Sequence, residues 1–143
     1  MKPVLILKFP YSSLYGGGEK HTVDLVEELQ KHTTVVYVGS CGVLRREFHK
    51  RGWSTFRWWA GREPVTPLAA ILFPFTSLLA IIPLLFLLVY MRVFARVGTV
   101  YCLAVTEKLL VTPWARLLGM RVVWAEHVAS SRRWLRLNPF RPI

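Results

Sequence analysis

The stretch that decides the fold runs from Val4 to His21 and reads VLILKFPYSSLYGGGEKH. It begins with an apolar run, passes through a polar loop and reaches three consecutive glycines, after which a helical pattern starts. A strand, a glycine loop and a helix N-terminus together place backbone N–H groups and the positive end of a helix dipole in front of an anion. Glycine also lets the backbone approach a phosphate or a sugar closely. The pattern therefore predicts a ligand-binding turn, with a simple flexible connection as the alternative.

The composition differs from that of an ordinary soluble domain. The 143 residues suffice for one domain with a buried core, yet 53% are hydrophobic and the mean hydropathy is +0.36. Lys and Arg number 19 against 8 Asp and Glu, a net charge of +11. This excess indicates an anionic partner, either a nucleic acid or an acidic membrane surface. Cys41 and Cys102 lack the spacing of a metal or redox motif, so we expect two ordinary thiols.

One block of the chain is apolar and uncharged. Residues 64–91 contain no charged side chain, and most of this block is apolar over about the length of one membrane span. Pro74 and Pro83 interrupt it, and each is expected to kink or break a helix. Three alternatives are open: a kinked transmembrane helix, a re-entrant or surface-lying pair of hydrophobic helices, and a buried core segment.

Basic residues follow the apolar block. Arg92 and Arg96 come directly after it, as is typical of a cytoplasmic flank, and residues 92–143 carry nine basic and two acidic groups. We therefore predict that residues 64–97 are a hydrophobic, membrane-associating helical insertion. Residues 128–143 are predicted to be an incomplete basic tail.

The rest of the chain alternates strand patterns with helix patterns. Strands are predicted at residues 3–9, 33–38, 54–59, 99–105 and 121–125, and helices at about 19–31, 43–50 and 107–118. Pro113 is expected to kink or split the last of these helices. The alternation predicts a single α/β domain over residues 1–143, with a Rossmann-like parallel sheet, flanking helices and right-handed crossovers.

Three motifs in order give the chain a resemblance to the N-terminal half of family-4 retaining glycosyltransferases, which have the two-domain GT-B architecture. The GGGEKH segment at residues 16–21 resembles that family's Gly-Gly-x-Glu-(Lys/Arg)-His helix start. The helix pattern over residues 106–119, followed by RVVW, resembles the family's helix ending in Leu-Gly-(Ile/Met) before a valine-rich strand. Glu126 and His127 at the end of that strand resemble its Glu-His or Leu-His pair at the active-site rim. Order and spacing agree over about residues 3–128.

The resemblance implies an activity and a set of site residues. The activity is transfer of a sugar from a nucleotide-sugar donor to a lipid-linked or saccharide acceptor, with retention of configuration and without a metal or other cofactor. His127 is implied as the catalytic residue, hydrogen-bonded to the donor sugar. Substrate binding is implied for Gly16, Gly17, Gly18, Glu19 and Glu126. From its position alone, a histidine at a strand end either faces the ligand crevice of an open α/β sheet or is an ordinary loop residue.

The sequence departs from the family pattern in two places. The family's fourth strand often begins with Pro-Asp, where this chain has Gly98-Thr99. The family's second domain supplies most of the nucleotide contacts, and no segment here corresponds to it. We therefore expect a chain that is truncated before the nucleotide-binding domain or paired with it as a separate chain, and that is inactive alone.

Three classes of function compete. The leading one is the acceptor-side domain of a membrane-associated glycosyltransferase at the cytoplasmic face, either peripheral or with one transmembrane segment. The alternative is a non-catalytic, membrane-anchored α/β binding or scaffold protein. A nucleic-acid-binding domain ranks last, because a 28-residue uncharged block does not fit a basic binding face, and we expect no nucleic-acid partner.

Overall fold

A computed structural model describes residues 2–9, 15–58 and 67–125. In chain order these residues form β1 (Val4–Lys8), α1 (Gly17–Gln30), β2 (Val35–Gly39), α2 (Gly42–Lys50), β3 (Ser54–Arg57), α3 (Pro67–Val93), β4 (Thr99–Cys102), α4 (Val105–Leu117) and β5 (Arg121–Trp124). The strands form one sheet in the order β3-β2-β1-β4-β5, and every neighbouring pair is parallel. The predicted Rossmann-like α/β fold is therefore confirmed.

The central strand β1 is buried on both faces, which explains its uninterrupted apolar sequence. Val4 and Ile6 pack on one side, against apolar residues of α1 and α2. Leu5 and Leu7 pack on the other side, against α3 and α4. The alternation of side chains along a strand thus divides one apolar run between two separate cores.

Helix α3 is one continuous helix of 27 residues, so of the three alternatives for this block the pair of separate helices is wrong. Pro74 and Pro83 lie inside the helix, and both are exposed. Their rings therefore stand away from the sheet and leave the packed side of the helix undisturbed. The Ser77 hydroxyl also donates a hydrogen bond to the Pro74 carbonyl oxygen at 2.9 Å.

The predicted split of α4 is also wrong, because this helix continues through Pro113, which is exposed as well. Within the described ranges, no helix combines the length and the apolar content that crossing a membrane requires. The membrane-associating role of residues 64–97 stays a prediction, and residues 128–143 lie outside the described residues.

Candidate functional site

The strand order creates a switch point between β1 and β4. From β1 the chain proceeds to β2 and β3 on one side of the sheet, and it then returns to build β4 and β5 on the other side. In open parallel sheets, ligands bind outside the carboxyl ends of the strands at such a point. The residues that follow β1 and β4 therefore define the candidate site.

The first component of the site is an ion pair at the end of β1. Lys8 is the last residue of β1, and its Nζ pairs with Oε1 of Glu19 in the first turn of α1. Both side chains are largely buried. The other carboxylate oxygen, Oε2, accepts a hydrogen bond from the backbone N–H of Gly16 at 3.0 Å. One carboxylate thus joins the end of the central strand to the glycine turn.

The electrostatic environment keeps Glu19 ionised. Burial by itself raises the pKa of this carboxyl group, but the hydrogen bond and the charge of Lys8, together with the backbone N–H groups of Glu19 and Gly16, lower it to a net value below 4.5. The carboxylate also lies at the positive end of the α1 dipole. The N-terminus of α1 is therefore already occupied by an anion that belongs to the protein.

The second component is a contact between α4 and the end of β1. Oε1 of Glu107 accepts a hydrogen bond from the backbone N–H of Phe9 at 2.6 Å, and Glu107 is fully buried. On the other side of β1, the Ser40 hydroxyl donates to the carbonyl oxygen of Phe9. Residues after β2 and in α4 thus fix the backbone where the chain leaves β1.

Close backbone packing at the same edge explains a glycine at the end of β2. A Cβ atom placed on Gly39 would lie 2.8 Å from the carbonyl carbon of Lys8 and 2.7 Å from the hydroxyl oxygen of Tyr37. Such distances are far shorter than ordinary van der Waals contacts. Gly39 therefore permits the close approach of β1 and β2 next to the Lys8–Glu19 pair.

The structure brings some of the predicted site residues together. Gly16 is the N-cap of α1, and Gly17, Gly18 and Glu19 form its first turn, two residues earlier than the predicted helix start. Of these four, Glu19 contacts Lys8 directly and Gly16 contacts Glu19. Glu126 and His127 lie outside the described residues, so their assignments stay predictions.

Sequence reasoning missed two residues of this site. Lys8 was part of an apolar strand pattern, and the only signal was a single charge at the end of an otherwise apolar run. Glu107 is an acidic residue in the first turn of a predicted helix, a position that ordinarily reflects a favourable interaction with the helix dipole. Neither signal reveals the partner, because each contact joins two different elements and forms only when the chain has folded.

Two open grooves among the described residues lie away from the switch point. One is lined by Glu27, Gln30, Lys31, Arg51 and Trp53. It lies where α1 ends and β3 begins, which is the amino-terminal edge of the sheet. Because ligands of open parallel sheets bind at the carboxyl edge, this groove is not part of the candidate site.

The parallel sheet order β3-β2-β1-β4-β5 and its flanking helices define a Rossmann-like α/β domain. Among solved structures, the chain is similar to the crystal structure of MurG from Acinetobacter baumannii, a GT-B protein, with a TM-score of 0.59 and 18% sequence identity. The match covers 87% of this chain and 34% of the MurG chain, so the chain spans about a third of that protein. No protein-family model matches the sequence, and a search of curated proteins gives no match. The similarity confirms the GT-B type of fold, while the family-4 and retaining assignments stay predictions.

Proposed function

We propose that this chain is the N-terminal, acceptor-side domain of a glycosyltransferase. The enzyme transfers a hexosyl group from a nucleotide-sugar donor to a lipid-linked or saccharide acceptor. The single observation that carries the proposal is the position of the glycine turn and its Lys8–Glu19 pair at the switch point of a GT-B-like sheet. A ligand bound there lies on the exposed backbone of Gly16 and Gly17, next to the largely buried Lys8–Glu19 ion pair.

The charges at the glycine turn favour the acceptor over the donor diphosphate. Glu19 occupies the N-terminus of α1 and neutralises Lys8, so a diphosphate placed here would face a carboxylate. Sugar hydroxyl groups, in contrast, donate well to a carboxylate and accept from an ammonium group. This supports an acceptor sugar at the turn, with the diphosphate held by a second, nucleotide-binding domain in cis or in trans.

The proposal gives His127 the catalytic contact and Glu126 a substrate contact. Strand β5 ends at Trp124 on the carboxyl edge of the sheet, and the two residues come shortly after it in the sequence. His127 would hydrogen-bond the donor sugar, and the family-4 resemblance implies retention of configuration without a metal. A lipid-linked acceptor also implies that the enzyme acts at the cytoplasmic face of a membrane, and we propose no nucleic-acid partner.

The first test is a transfer assay on the full chain together with its nucleotide-binding half. That half is sought in the DNA that follows codon 143, as a reading frame with an α/β pattern and the paired-glutamate motif of the second domain of family-4 glycosyltransferases. Membranes containing both are incubated with labelled nucleotide sugars, and label in extracted lipid is counted. We expect transfer with the wild-type chain and its loss in His127→Ala, while His49→Ala, which changes an exposed histidine of α2, retains it.

Two results would contradict the proposal. Absence of label with a folded chain and a bound nucleotide-binding half would exclude glycosyl transfer. Full activity of His127→Ala would leave transfer standing but would remove His127 from the chemistry. Nuclear magnetic resonance of the product gives the anomeric configuration, and an inverted product would contradict the retaining assignment alone.

A further inference from the structure

The outward side of α3 is an unusually apolar exposed surface. Of the seventeen large apolar side chains that are exposed among the described residues, eleven lie on this one helix. They recur at helical spacing on the side away from the sheet: Leu68, Ile71, Leu72, Phe75, Leu78, Leu79, Ile82, Phe86, Val89, Tyr90 and Val93. Leu79 is 81% exposed and Phe86 is 73% exposed. We call this set the outward face of α3.

The opposite side of α3 is equally apolar but is buried. Leu84, Leu88 and Met91 pack against the sheet, and Phe73 is partly buried against the same core. A helix that is apolar all round is ordinarily covered all round, whereas the sheet covers only one side of α3. Exposed apolar patches of this extent mark contacts with a protein or a membrane.

The packing of α3 fixes the direction from which a partner approaches. At 1.5 Å per residue, the 27 residues of α3 extend over about 40 Å. The helix contacts the core from Phe73 to Met91, which is most of that length. Only its outward face is therefore available, as a long, narrow apolar strip. Such a strip fits a surface that runs parallel to the helix axis.

The charges at the end of α3 identify that surface. Arg96, Arg116 and Arg121 are exposed. Arg96 follows α3, Arg116 lies in the last turn of α4, and Arg121 begins β5, so all three are near the amino-terminal edge of the sheet. The only described acidic residue after α3 is Glu107, which is buried at the opposite edge. An apolar strip with a basic end complements an anionic membrane surface. A second copy of this chain carries the same net charge of +11, which opposes its approach.

The two arginines that follow the apolar block have different roles. Nε of Arg92 donates to the carbonyl oxygen of Leu118 at 3.0 Å, and its Nη1 donates to that of Val97 at 3.3 Å. Arg92 therefore joins the end of α3 to the end of α4 within the protein. Arg96 is exposed, and its backbone has a φ of 52°. Arg96, and not Arg92, is placed to contact a lipid headgroup.

We propose that the outward face of α3 lies in the boundary between the headgroups and acyl chains of an anionic membrane, with the helix axis parallel to the surface. Arg96, Arg116 and Arg121 contact the phosphates of the headgroups. This inference deepens the proposed function and rests on it, because a lipid-linked acceptor is what would bring a sugar-transfer domain to a membrane. It names the lipid surface as the partner and α3 as the element that binds it.

The test is flotation of the full chain with vesicles. Vesicles of phosphatidylcholine alone are compared with vesicles that also contain phosphatidylglycerol, and we expect stronger binding to the anionic ones. The double variant Phe75→Ser/Phe86→Ser should lower the partition coefficient at least about tenfold. Arg96→Gln should lower it about fivefold on anionic vesicles and leave it unchanged on phosphatidylcholine.

A matched charge control lies on the other face of the sheet. Arg46 is an exposed residue of α2, which packs on the side away from α3. Arg46→Gln makes the same chemical change as Arg96→Gln and should leave binding to both kinds of vesicle unchanged. All the altered side chains are exposed, so we expect each variant to fold. Circular dichroism melting of each variant checks this.

Two outcomes would overturn the inference. If the wild-type chain floats with neither kind of vesicle, α3 is not a lipid-binding element. If the Phe75→Ser/Phe86→Ser variant instead changes the mass measured by sedimentation while flotation is unaffected, the outward face binds a second copy of the chain. Flotation measures no sugar transfer, so a chain that binds lipid but transfers nothing would contradict the proposed function alone.

Discussion

Glu107 and Phe9 are 98 positions apart in the sequence, yet Oε1 of Glu107 accepts a hydrogen bond from the backbone N–H of Phe9 at 2.6 Å. Phe9 directly follows β1, and Glu107 lies in the first turn of α4. The bond therefore fixes the two chain segments on either side of the switch point. It stabilises the same edge of the sheet at which we place the acceptor.

The first prediction concerns this bond. Glu107→Leu removes the acceptor and leaves a buried backbone N–H without it, which costs about 1–3 kcal/mol. Urea unfolding followed by circular dichroism should show that loss. Glu107→Gln retains an oxygen acceptor and should fall between the leucine variant and the wild type. Equal stability of the leucine variant and the wild type would show that the bond does not hold the edge together.

The second prediction is a pH dependence that arises from Glu19. Lys8 and two backbone N–H groups outweigh the effect of burial and hold the pKa of Glu19 below 4.5 in the folded protein. The unfolded chain therefore binds the proton more tightly, so the stabilisation is complete above pH 4.5 and is lost as the pH falls through the lower, folded pKa. The difference in unfolding free energy between wild type and Glu19→Gln should shrink over that acidic range.

A matched control is available on the same helix. Glu28 is exposed and pairs with exposed Lys31, and such pairs contribute little because water and salt screen them. Glu28→Gln should therefore leave the unfolding free energy almost unchanged at neutral pH. If Glu19→Gln behaves in the same way, the Lys8–Glu19 pair does not stabilise the glycine turn.

The sequence was sufficient to predict the sheet, because its strands are short apolar or β-branched runs between helices of ordinary length. It was misleading at Pro74, Pro83 and Pro113. A proline is expected to break a helix because it removes a backbone hydrogen bond, but this expectation ignores the packing of the opposite side of the helix. All three prolines are on exposed helix sides. The residue type alone does not predict which side of the helix a proline lies on.

The candidate site was only partly predictable. The glycine turn could be found, because its glycines are consecutive and precede a helical pattern. The roles of Lys8 and Glu107 could not, because each depends on a contact across the fold. Even Glu19, which was a predicted substrate contact, has a capping role that becomes evident only when its bond to Gly16 is seen.

The third prediction concerns the buried thiols. Burial, and after it the negative charge of Glu107, raises the pKa of Cys102 far above its usual value of 9.0. Because the thiolate is the reactive form, iodoacetamide should modify Cys102 at least about a hundredfold more slowly in the native protein than in urea. Mass spectrometry of the peptides separates Cys102 from Cys41, which is also buried. Rapid native modification of Cys102 would contradict its placement in the core.

The same shift makes the protein sensitive to alkaline pH. In the unfolded chain the Cys102 thiol ionises from about pH 9, whereas in the folded chain it stays protonated to a higher pH. A raised folded pKa means that the stabilisation is complete below the unfolded pKa and is lost as the pH rises above it. Cys102→Ala should therefore show a smaller fall in unfolding free energy above pH 9 than the wild type does.

The fourth prediction compares two glycines near the site that differ in their surroundings. At Gly39, a Cβ atom would lie 2.8 Å from the carbonyl carbon of Lys8, and neither the backbone of β1 nor that of β2 can move without altering the sheet. Gly39→Ala should cost about 3 kcal/mol or more. At Gly17, a Cβ atom would meet nothing within 4 Å, and the residue is helical. Gly17→Ala should stabilise the protein by about 0.5 kcal/mol, because alanine loses less backbone entropy than glycine on folding.

Gly39→Ala and Gly17→Ala together also separate effects on folding from effects on ligand binding at the glycine turn. Because Gly17→Ala keeps the fold, any loss of transfer in the assay with the nucleotide-binding half reports on the approach of the acceptor to the backbone. Urea unfolding of both variants gives the stabilities. If Gly39→Ala were as stable as the wild type, β1 and β2 would not approach as closely as the structure shows. If Gly17→Ala were stable and fully active, the acceptor would not contact the turn at that position.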